Sequence, residues 1–295
     1  MISLRFILKL ALLIAGTNSC KAAISIACVG DSITYGVGVA DQATQSYPAK
    51  LQQLLGTNYS VGNFGVSGTT LLKEGDMPYW NTSAFVVSHG RPTLPNIVIM
   101  MLGSNDSKPQ NWAYGTNFYS EYAAFIATYT NLSPSPRVLI CTPPPVFNNG
   151  NYNINPGIVA TNISPLIREL GTNLDLQVID MQSLLADHSE WFPDYVHPNS
   201  QGTTVMSAVV YTQLLGDTMN GSVPSLGIMI QTDGNVVLDW LAGGAGWVLQ
   251  SIHVYGNTNT WMIVDQIAVN NGSFVLDTNA ITGASTLFRL WNPMQ

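Results

Sequence analysis

A chain of 295 residues is long enough for one large domain or for two smaller ones, each with a substantial core. Hydrophobic residues make up 46% of the chain and charged residues only 9%, so Asn, Thr, Ser and Gly supply most of its polarity, which suits a secreted enzyme. The net charge is −7, and the ten Lys and Arg residues are scattered along the chain. This distribution excludes nucleic-acid binding, which requires clustered basic residues.

The first 22 residues predict a signal peptide. Arg5 and Lys9 form its basic region, "LALLIAG" forms its apolar core, and small residues near Ala22 and Ala23 offer a cleavage site. The apolar run is shorter than the roughly 20 residues that a membrane span requires. We therefore expect an exported protein, secreted or periplasmic. Lipoprotein processing at Cys20 is an alternative, although "TNSC" lacks the usual Leu three residues before the Cys.

Strand-like apolar runs alternate with helical patterns through residues 23–217. Strands are predicted at 24–30, 59–64, 96–102, 137–142 and 176–181. Helices are predicted near 46–55, 113–131, 157–171 and 200–216. Continuously apolar strands separated by helices indicate a parallel sheet covered on both faces. We therefore predict an α/β domain whose ligand site lies beyond the carboxyl ends of the strands.

The pattern changes near residues 217–225, in "GDTMNGSVPSLG", which has the composition of a linker. "IMIQTDGNVVLDWL" then predicts a β-hairpin around "DGN", and further short strand-like runs follow at the spacing of a small β-sandwich. We predict an accessory all-β module at 225–295, small enough to need packing against the first domain. Its tryptophans suit an apolar core as well as a glycan-contacting face: Trp240, Trp247, Trp261 and Trp291.

Four polar segments follow the predicted strands. They are "GDSIT" at 30–34, "GNFGVSG" at 62–68, "GSND" at 103–106 and "PDYVHPN" at 193–199. An acyl-transfer site needs a nucleophile, a base, a group that orients the base, and donors for the oxyanion. The parallel sheet would gather candidates for all four roles at one edge.

Ser32 is the candidate nucleophile, because a turn after the first strand would expose it. Of the four histidines only His197 has a carboxylate three residues earlier, at Asp194. A D-x-x-H spacing lets the carboxylate bind ring Nδ1 and leaves Nε2 for the serine, as in Ser-His-Asp triads. The other histidines, His89, His188 and His253, are interpreted as surface or structural residues.

The candidate oxyanion donors are the N–H of Ser32, the N–H of Gly65 and the side-chain amide of Asn105. Gly65 has no side chain to shield its N–H from a reacting carbonyl. We expect Asp31 to hold the turn at Ser32 through backbone hydrogen bonds, and Asp106 to support its own segment rather than to react.

The four segments resemble, in order, the sequence blocks of the SGNH (GDSL-type) esterase superfamily, across residues 24–215. The resemblance implies that Ser32, Gly65, Asn105 and His197 are the four named residues of that family and that Asp194 completes the triad. It implies a flavodoxin-like three-layer sandwich with five parallel strands in the order 2-1-3-4-5, and it implies no metal or cofactor. Residues 222–295 lie outside the resemblance.

The segments "NFGVSGTTLLKEGDMPYW" and "LGSNDSKPQNW" also resemble secreted bacterial SGNH proteins described as carbohydrate acetylesterases. The first hypothesis is therefore a serine esterase that removes acetyl groups from a carbohydrate. A lipase or lysophospholipase is the alternative within the same chemistry. A glycan-binding protein with an inactive hydrolase domain is the alternative from another class, with the C-terminal module as its binding part.

Three aromatic residues between the strand ends are candidates for substrate binding. Tyr79, Trp80 and Trp112 could stack on a sugar ring or line an acyl pocket, and they could equally form a local core. The sequence alone leaves these two roles open.

Overall fold

Five parallel strands carry the segments that the sequence singled out. The computed structural model describes residues 22–90, 94–148, 151–215, 226–230, 236–241, 247–253, 262–264, 268–270, 273–277, 286–291 and 293. The strands of the parallel sheet are β1 (Ile24–Gly30), β2 (Tyr59–Gly65), β3 (Ile97–Met101), β4 (Arg137–Cys141) and β5 (Gln177–Ile179). Their order is β2-β1-β3-β4-β5. The predicted sheet is confirmed, and each strand ends within two residues of its predicted limits.

Helices connect these strands and cover the sheet. They are α1 (Ser32–Tyr35), α2 (Gln42–Gln45), α3 (Tyr47–Leu55), α4 (Ser83–Ser88), α5 (Pro109–Trp112), α6 (Phe118–Thr130), α7 (Pro156–Ile158), α8 (Ser164–Asn173), α9 (Met181–Leu184) and α10 (Ser200–Leu215). A π-helical turn at Val159–Ile163 joins α7 to α8, so the helix predicted at 157–171 is confirmed with an irregular middle. The helix predicted at 113–131 begins only at Phe118, because a turn and a short 3-10 helix precede it.

Two apolar layers lie on opposite faces of the sheet, because successive side chains of a strand point to opposite sides. Cys28 and Ile99 point towards α3 and α10, which bury residues such as Leu51 against them. Val29 and Met100 point to the other layer, which is formed mainly by α6 and α8. The result is the three-layer sandwich expected from the resemblance.

The regular elements in the described part of the C-terminal region are all strands. They are β6 (Gly227–Ile230), β7 (Val236–Leu241), β8 (Val248–His253), β9 (Met262–Ile263), β10 (Ala268–Asn270), β11 (Ser273–Asp277) and β12 (Thr286–Trp291). They form one sheet of order β10-β11-β7-β6 and another of order β12-β8-β9, with antiparallel pairing throughout. The antiparallel pair β6–β7 confirms the predicted hairpin, and the two sheets confirm the predicted all-β module.

The C-terminal strands pack directly on the α/β domain. Trp291 contacts Trp191, with ring centroids 6.1 Å apart, and the side chain of Gln201 donates to the carbonyl oxygen of Ile263. Helix α10 contacts β8 and is buried on nearly all sides, which requires cover on the side that faces away from the sheet. The apolar layer around α10 therefore continues into the C-terminal strands.

Some sequence predictions fall outside the described residues. Residues 1–21 of the predicted signal peptide, including Cys20, are among them, and so is the linker at 217–225. In the part of the chain that the structure describes, no helix is both long enough and apolar enough to cross a bilayer.

Candidate active site

Ser32 is the first residue of α1, immediately beyond the carboxyl end of β1. The Asp31 carboxylate caps this short helix by accepting the N–H of Ile33 at 2.9 Å. Gly30 allows the sharp turn, because a Cβ there would lie 2.2 Å from Thr34 Oγ1 and 2.6 Å from the carbonyl oxygen of Met101. The turn holds Ser32 at 7% exposure, with its hydroxyl directed at a histidine.

His197 lies between Ser32 and Asp194 in one chain of hydrogen bonds. Its Nε2 is 2.8 Å from Ser32 Oγ, and its Nδ1 is 2.7 Å from Asp194 Oδ2. An ionised carboxylate can only accept, so Nδ1 carries the proton and Nε2 is the acceptor for the serine hydroxyl. The structure thus brings together the three residues that the sequence singled out.

The Asp194 carboxylate is fixed by its own loop. Its Oδ1 accepts the N–H of Val196 at 3.0 Å and that of His197 at 2.7 Å. Burial alone would raise the pKa of Asp194, but the hydrogen bonds from the His197 backbone and ring and from the Val196 N–H outweigh it and leave the pKa below its ordinary value. The carboxylate therefore stays ionised beside the imidazole at neutral pH.

The prediction that Gly65 is an oxyanion donor is wrong. Its N–H donates to Asn63 Oδ1 at 2.9 Å, and the residue lines a separate groove together with Tyr35. A Cβ at Gly65 would lie 2.1 Å from the backbone nitrogen of Tyr35, so the glycine is needed for close packing of two backbones.

Gly68, three residues further on, lies at the cleft where Gly65 is expected. It has φ +84°, and it lines the cleft together with Ser32, Asn105 and His197. Within the described residues, the backbone N–H groups of Gly68 and Ser32 have no protein acceptor. The Asn105 amide donates one N–H to the carbonyl oxygen of Thr69 at 3.1 Å, which orients it and leaves its second N–H for the cleft.

Asp106 joins the two segments that carry these donors. Its carboxylate accepts the N–H of Leu71 at 3.0 Å and that of Leu72 at 2.7 Å, so it supports the loop after β2, as predicted. Burial raises the pKa of Asp106 to about 7 and that of Asp31 to about 6, although backbone N–H groups lower both. Both side chains are structural groups behind the cleft.

The cleft above Ser32 is a small cavity of about 220 Å³. Its walls are formed by residues from five segments: Ser32, Val37, Ser67, Gly68, Asn105, Lys108, Tyr152, Ile154 and His197. Lys108 is the basic side chain of this set, and its Nζ lies 3.6 Å from Asp76 Oδ2. Lys108 and Tyr152 are not among the residues that the sequence singles out, and Gly68 lies in the segment "GNFGVSG", where the sequence points to Gly65 instead.

The three aromatic candidates for substrate binding pack elsewhere. Tyr79 is fully buried and donates its hydroxyl to the carbonyl oxygen of Phe64, so its prediction as a binding residue is wrong. Trp80 donates to the carbonyl oxygen of Leu71 and packs edge-on against Phe125. Trp112 packs against Phe118 at 5.9 Å.

All three aromatic candidates belong to the apolar layer over α6, and none lines the cleft above Ser32.

Of the remaining histidines, His188 stacks on Trp191 at 3.7 Å and His89 packs on Phe85, which confirms their structural roles. Among the described residues, no group of three or more His, Cys, Asp or Glu side chains is arranged to hold a metal ion.

Comparison with known proteins places this geometry in a family. The model of the GDSL-like lipase/acylhydrolase family matches residues 28–205. An acetylxylan esterase from Xylanibacter ruminicola is 36% identical over an alignment 206 residues long, which covers 64% of this chain and 42% of that protein. The chain therefore spans less than half the length of that relative.

Solved structures share the fold. A carbohydrate acetylesterase family member from Sinorhizobium meliloti matches with a TM-score of 0.52 and 24% identity, covering 64% of this chain and 96% of that one. The native aryl esterase of M. smegmatis matches with a TM-score of 0.54 and 20% identity, covering 65% and 99%. At these identities the likeness concerns the fold alone.

Proposed function

We propose that this chain, which belongs to the GDSL-like lipase/acylhydrolase family, hydrolyses carboxylic esters with Ser32 as nucleophile, His197 as general base and Asp194 as the group that orients the base. The observation that carries the proposal is the continuous hydrogen-bond chain from Asp194 through His197 to Ser32, which ends at a cleft lined by unpaired N–H groups.

The reaction follows from this geometry. Ser32 Oγ attacks the ester carbonyl while His197 Nε2 takes its proton, and Asp194 stabilises the imidazolium that forms. The N–H groups of Ser32 and Gly68 and the free N–H of Asn105 receive the charge that develops on the carbonyl oxygen. His197 then protonates the leaving alkoxide, the acyl-enzyme remains on Ser32, and a water molecule activated by His197 releases the acid.

Replacement of the nucleophile tests this proposal. Ser32→Ala should fold normally and lose hydrolysis of p-nitrophenyl acetate by roughly 10⁴-fold or more. Ser189→Ala is the matched control, because Ser189 is exposed and outside the cleft. Activity of Ser32→Ala near that of the control would refute the proposal.

We infer that the substrate is an acetylated carbohydrate. The support is the acetylxylan esterase relative and the small size of the cleft, which suits an acetyl group better than a long acyl chain. A lipase or lysophospholipase would need a deeper apolar cavity, since the acyl chain must be buried.

A chain-length series separates the two substrates. Turnover of p-nitrophenyl esters from C2 to C12 should be highest at C2, acetate should be released from acetylated xylan, and no fatty acid should be released from phospholipid vesicles. A preference for C8–C12 esters would contradict the carbohydrate acetate assignment.

Two further proposals concern the chain as a whole. We propose that residues 1–22 are removed on export, so that the secreted protein begins at Ala23, which N-terminal sequencing of protein from the culture medium would test.

We also propose a division into a hydrolase domain at 23–217 and an accessory module at 225–295. The contacts of Trp291 and β8 with the hydrolase domain support a packing role for the module over glycan binding.

A further inference from the structure

Residues 151–155, which we call the Tyr152 turn, cross the mouth of the cleft. The Tyr152 ring is 56% exposed and lies edge-on to the His197 ring, with centroids 5.1 Å apart. Tyr152 and Asn153 both have φ +59°, in the left-handed region that bulky residues rarely adopt. Asn tolerates this region, whereas a tyrosine held there costs conformational energy, and strain of this kind is concentrated at functional sites.

The Tyr152 turn is attached to Asp194 at two points. The hydroxyl of Tyr152 donates to Asp194 Oδ2 at 3.1 Å, and the side-chain amide of Asn151 donates to the carbonyl oxygen of Asp194. Asp194 Oδ2 is the same oxygen that accepts the Nδ1 proton of His197. The turn therefore acts on the carboxylate oxygen that orients the base.

The other end of the Tyr152 turn is anchored as well. The N–H of Asn155 donates to Ser107 Oγ at 2.9 Å, and Ile154 is buried against Val159 and Val196. These contacts hold the backbone of Tyr152 in its left-handed conformation, because the segment is fixed on both sides of the strained residues. The anchored backbone thus holds the Tyr152 hydroxyl next to Asp194.

We propose that Tyr152 is a positioning residue, which fixes the Asp194 carboxylate through its hydroxyl and thereby holds the His197 ring in line with Ser32. The inference rests on the ester-hydrolase function proposed above. Without the hydroxyl, Asp194 Oδ1 still accepts the N–H groups of Val196 and His197, but Oδ2 keeps only the imidazole as a partner. The Oδ2 atom of this carboxylate, whose side chain is 32% exposed, can then turn towards water and away from the line between the His197 ring and Ser32.

Tyr152→Phe is the test, because it removes the hydroxyl and keeps the ring. Tyr195→Phe is the matched control: Tyr195 is in the same loop as Asp194, is 43% exposed and has φ +68°, and its hydroxyl has no hydrogen bond within the described residues. Rates would be measured with p-nitrophenyl acetate and with ethyl acetate, which has no aromatic leaving group, together with thermal unfolding.

We expect Tyr152→Phe to lower kcat about five- to twentyfold on both esters. This loss is smaller than that for a fully buried charge-assisted hydrogen bond, because Tyr152 is 56% exposed. KM should change less than twofold, and the melting temperature should stay near that of the control. A loss confined to KM for p-nitrophenyl acetate would overturn the proposal, since the residue would then act only on the leaving group.

A second variant keeps the result decisive. If Tyr152→Ala loses activity while Tyr152→Phe equals the wild type, the ring matters and the hydroxyl does not, and the positioning role is refuted. Failure of the proposed function is recognised separately, because Ser32→Ala would then retain hydrolysis whatever Tyr152 does.

Discussion

Asn105→Ala gives a quantitative test of the oxyanion site, because one side chain serves both the cleft and the fold. Asn105 is 4% exposed, and one N–H of its amide is held by the carbonyl oxygen of Thr69. Loss of the second N–H, which faces the cleft, should lower kcat about 10²- to 10³-fold, equivalent to about 3–4 kcal/mol of transition-state stabilisation.

The same substitution should also affect folding. It leaves the buried carbonyl oxygen of Thr69 without its partner, at a cost of about 1–3 kcal/mol. In a chain of this size that corresponds to a fall in melting temperature of about 2–4 °C for each kcal/mol. The catalytic loss and the stability loss are therefore separable by measuring kcat at 25 °C, far below the transition, and unfolding by calorimetry.

The assay is saturating p-nitrophenyl acetate, followed from the first turnover. Asn105→Asp serves as the companion variant, because it keeps the shape and replaces the NH2 group, with its two N–H donors, by one acceptor oxygen. Its kcat should fall at least as far as that of Asn105→Ala. If either variant kept more than a third of the wild-type kcat while folded, Asn105 would not stabilise the oxyanion and the assignment of the donors would be wrong.

Three further outcomes are expected. Gly68→Ala should lose about 1 kcal/mol of stability, because Ala resists φ +84° although there is room for its Cβ, and about tenfold in kcat, because relief of that strain turns the N–H away from the cleft. A loss of stability with an unchanged kcat would show that the orientation of this N–H does not matter to the reaction. The pKa values of Asp31 and Asp106 are raised to about 6 and about 7, so between pH 4.5 and these values the folded state keeps protons that the unfolded state has lost. The free energy of unfolding should therefore fall as pH rises from 4.5 to 7.5, by up to about 1.4 kcal/mol per pH unit for each carboxyl. Urea midpoints that stay level or rise over this range would contradict this expectation. Trp80→Ala should cost about 3 kcal/mol of stability and leave kcat/KM for acetate esters within twofold, since the ring packs against α6; a selective loss of kcat/KM would return Trp80 to the substrate site.

The sheet and the Ser-His-Asp arrangement were predictable because both have local signals. Buried parallel strands read as continuous apolar runs, and β1 and β2 were placed to within one residue on that basis. Asp194 and His197 lie three residues apart in one stiff loop, so their contact is set by spacing rather than by the fold.

The choice among glycines could not be made from the sequence. Gly65 and Gly68 are close neighbours in "GNFGVSG", and either could have offered a bare N–H. The difference arises from tertiary contacts: the backbone of Tyr35 lies against Gly65, whereas Gly68 turns into the cleft with a positive φ.

The sequence did not reveal Tyr152, and it did not reveal the burial of Tyr79 and Trp80, for a related reason. Tyr152 reaches the site from a loop that is 42 residues before Asp194 in the chain, and no motif surrounds it. Tyr79 and Trp80 follow a strand end, where exposure is the reasonable expectation, yet the long segment after β2 folds back onto α6 and buries them. Contacts between distant segments of this kind leave no trace in local patterning.

The apolar cover that β8 and Trp291 place over α10 and Trp191 has a practical consequence for anyone wishing to shorten this protein. A version ending at residue 215 would present to water a helix side and an indole that the full chain keeps dry. A truncated protein would need polar substitutions along that side of α10 to prevent self-association.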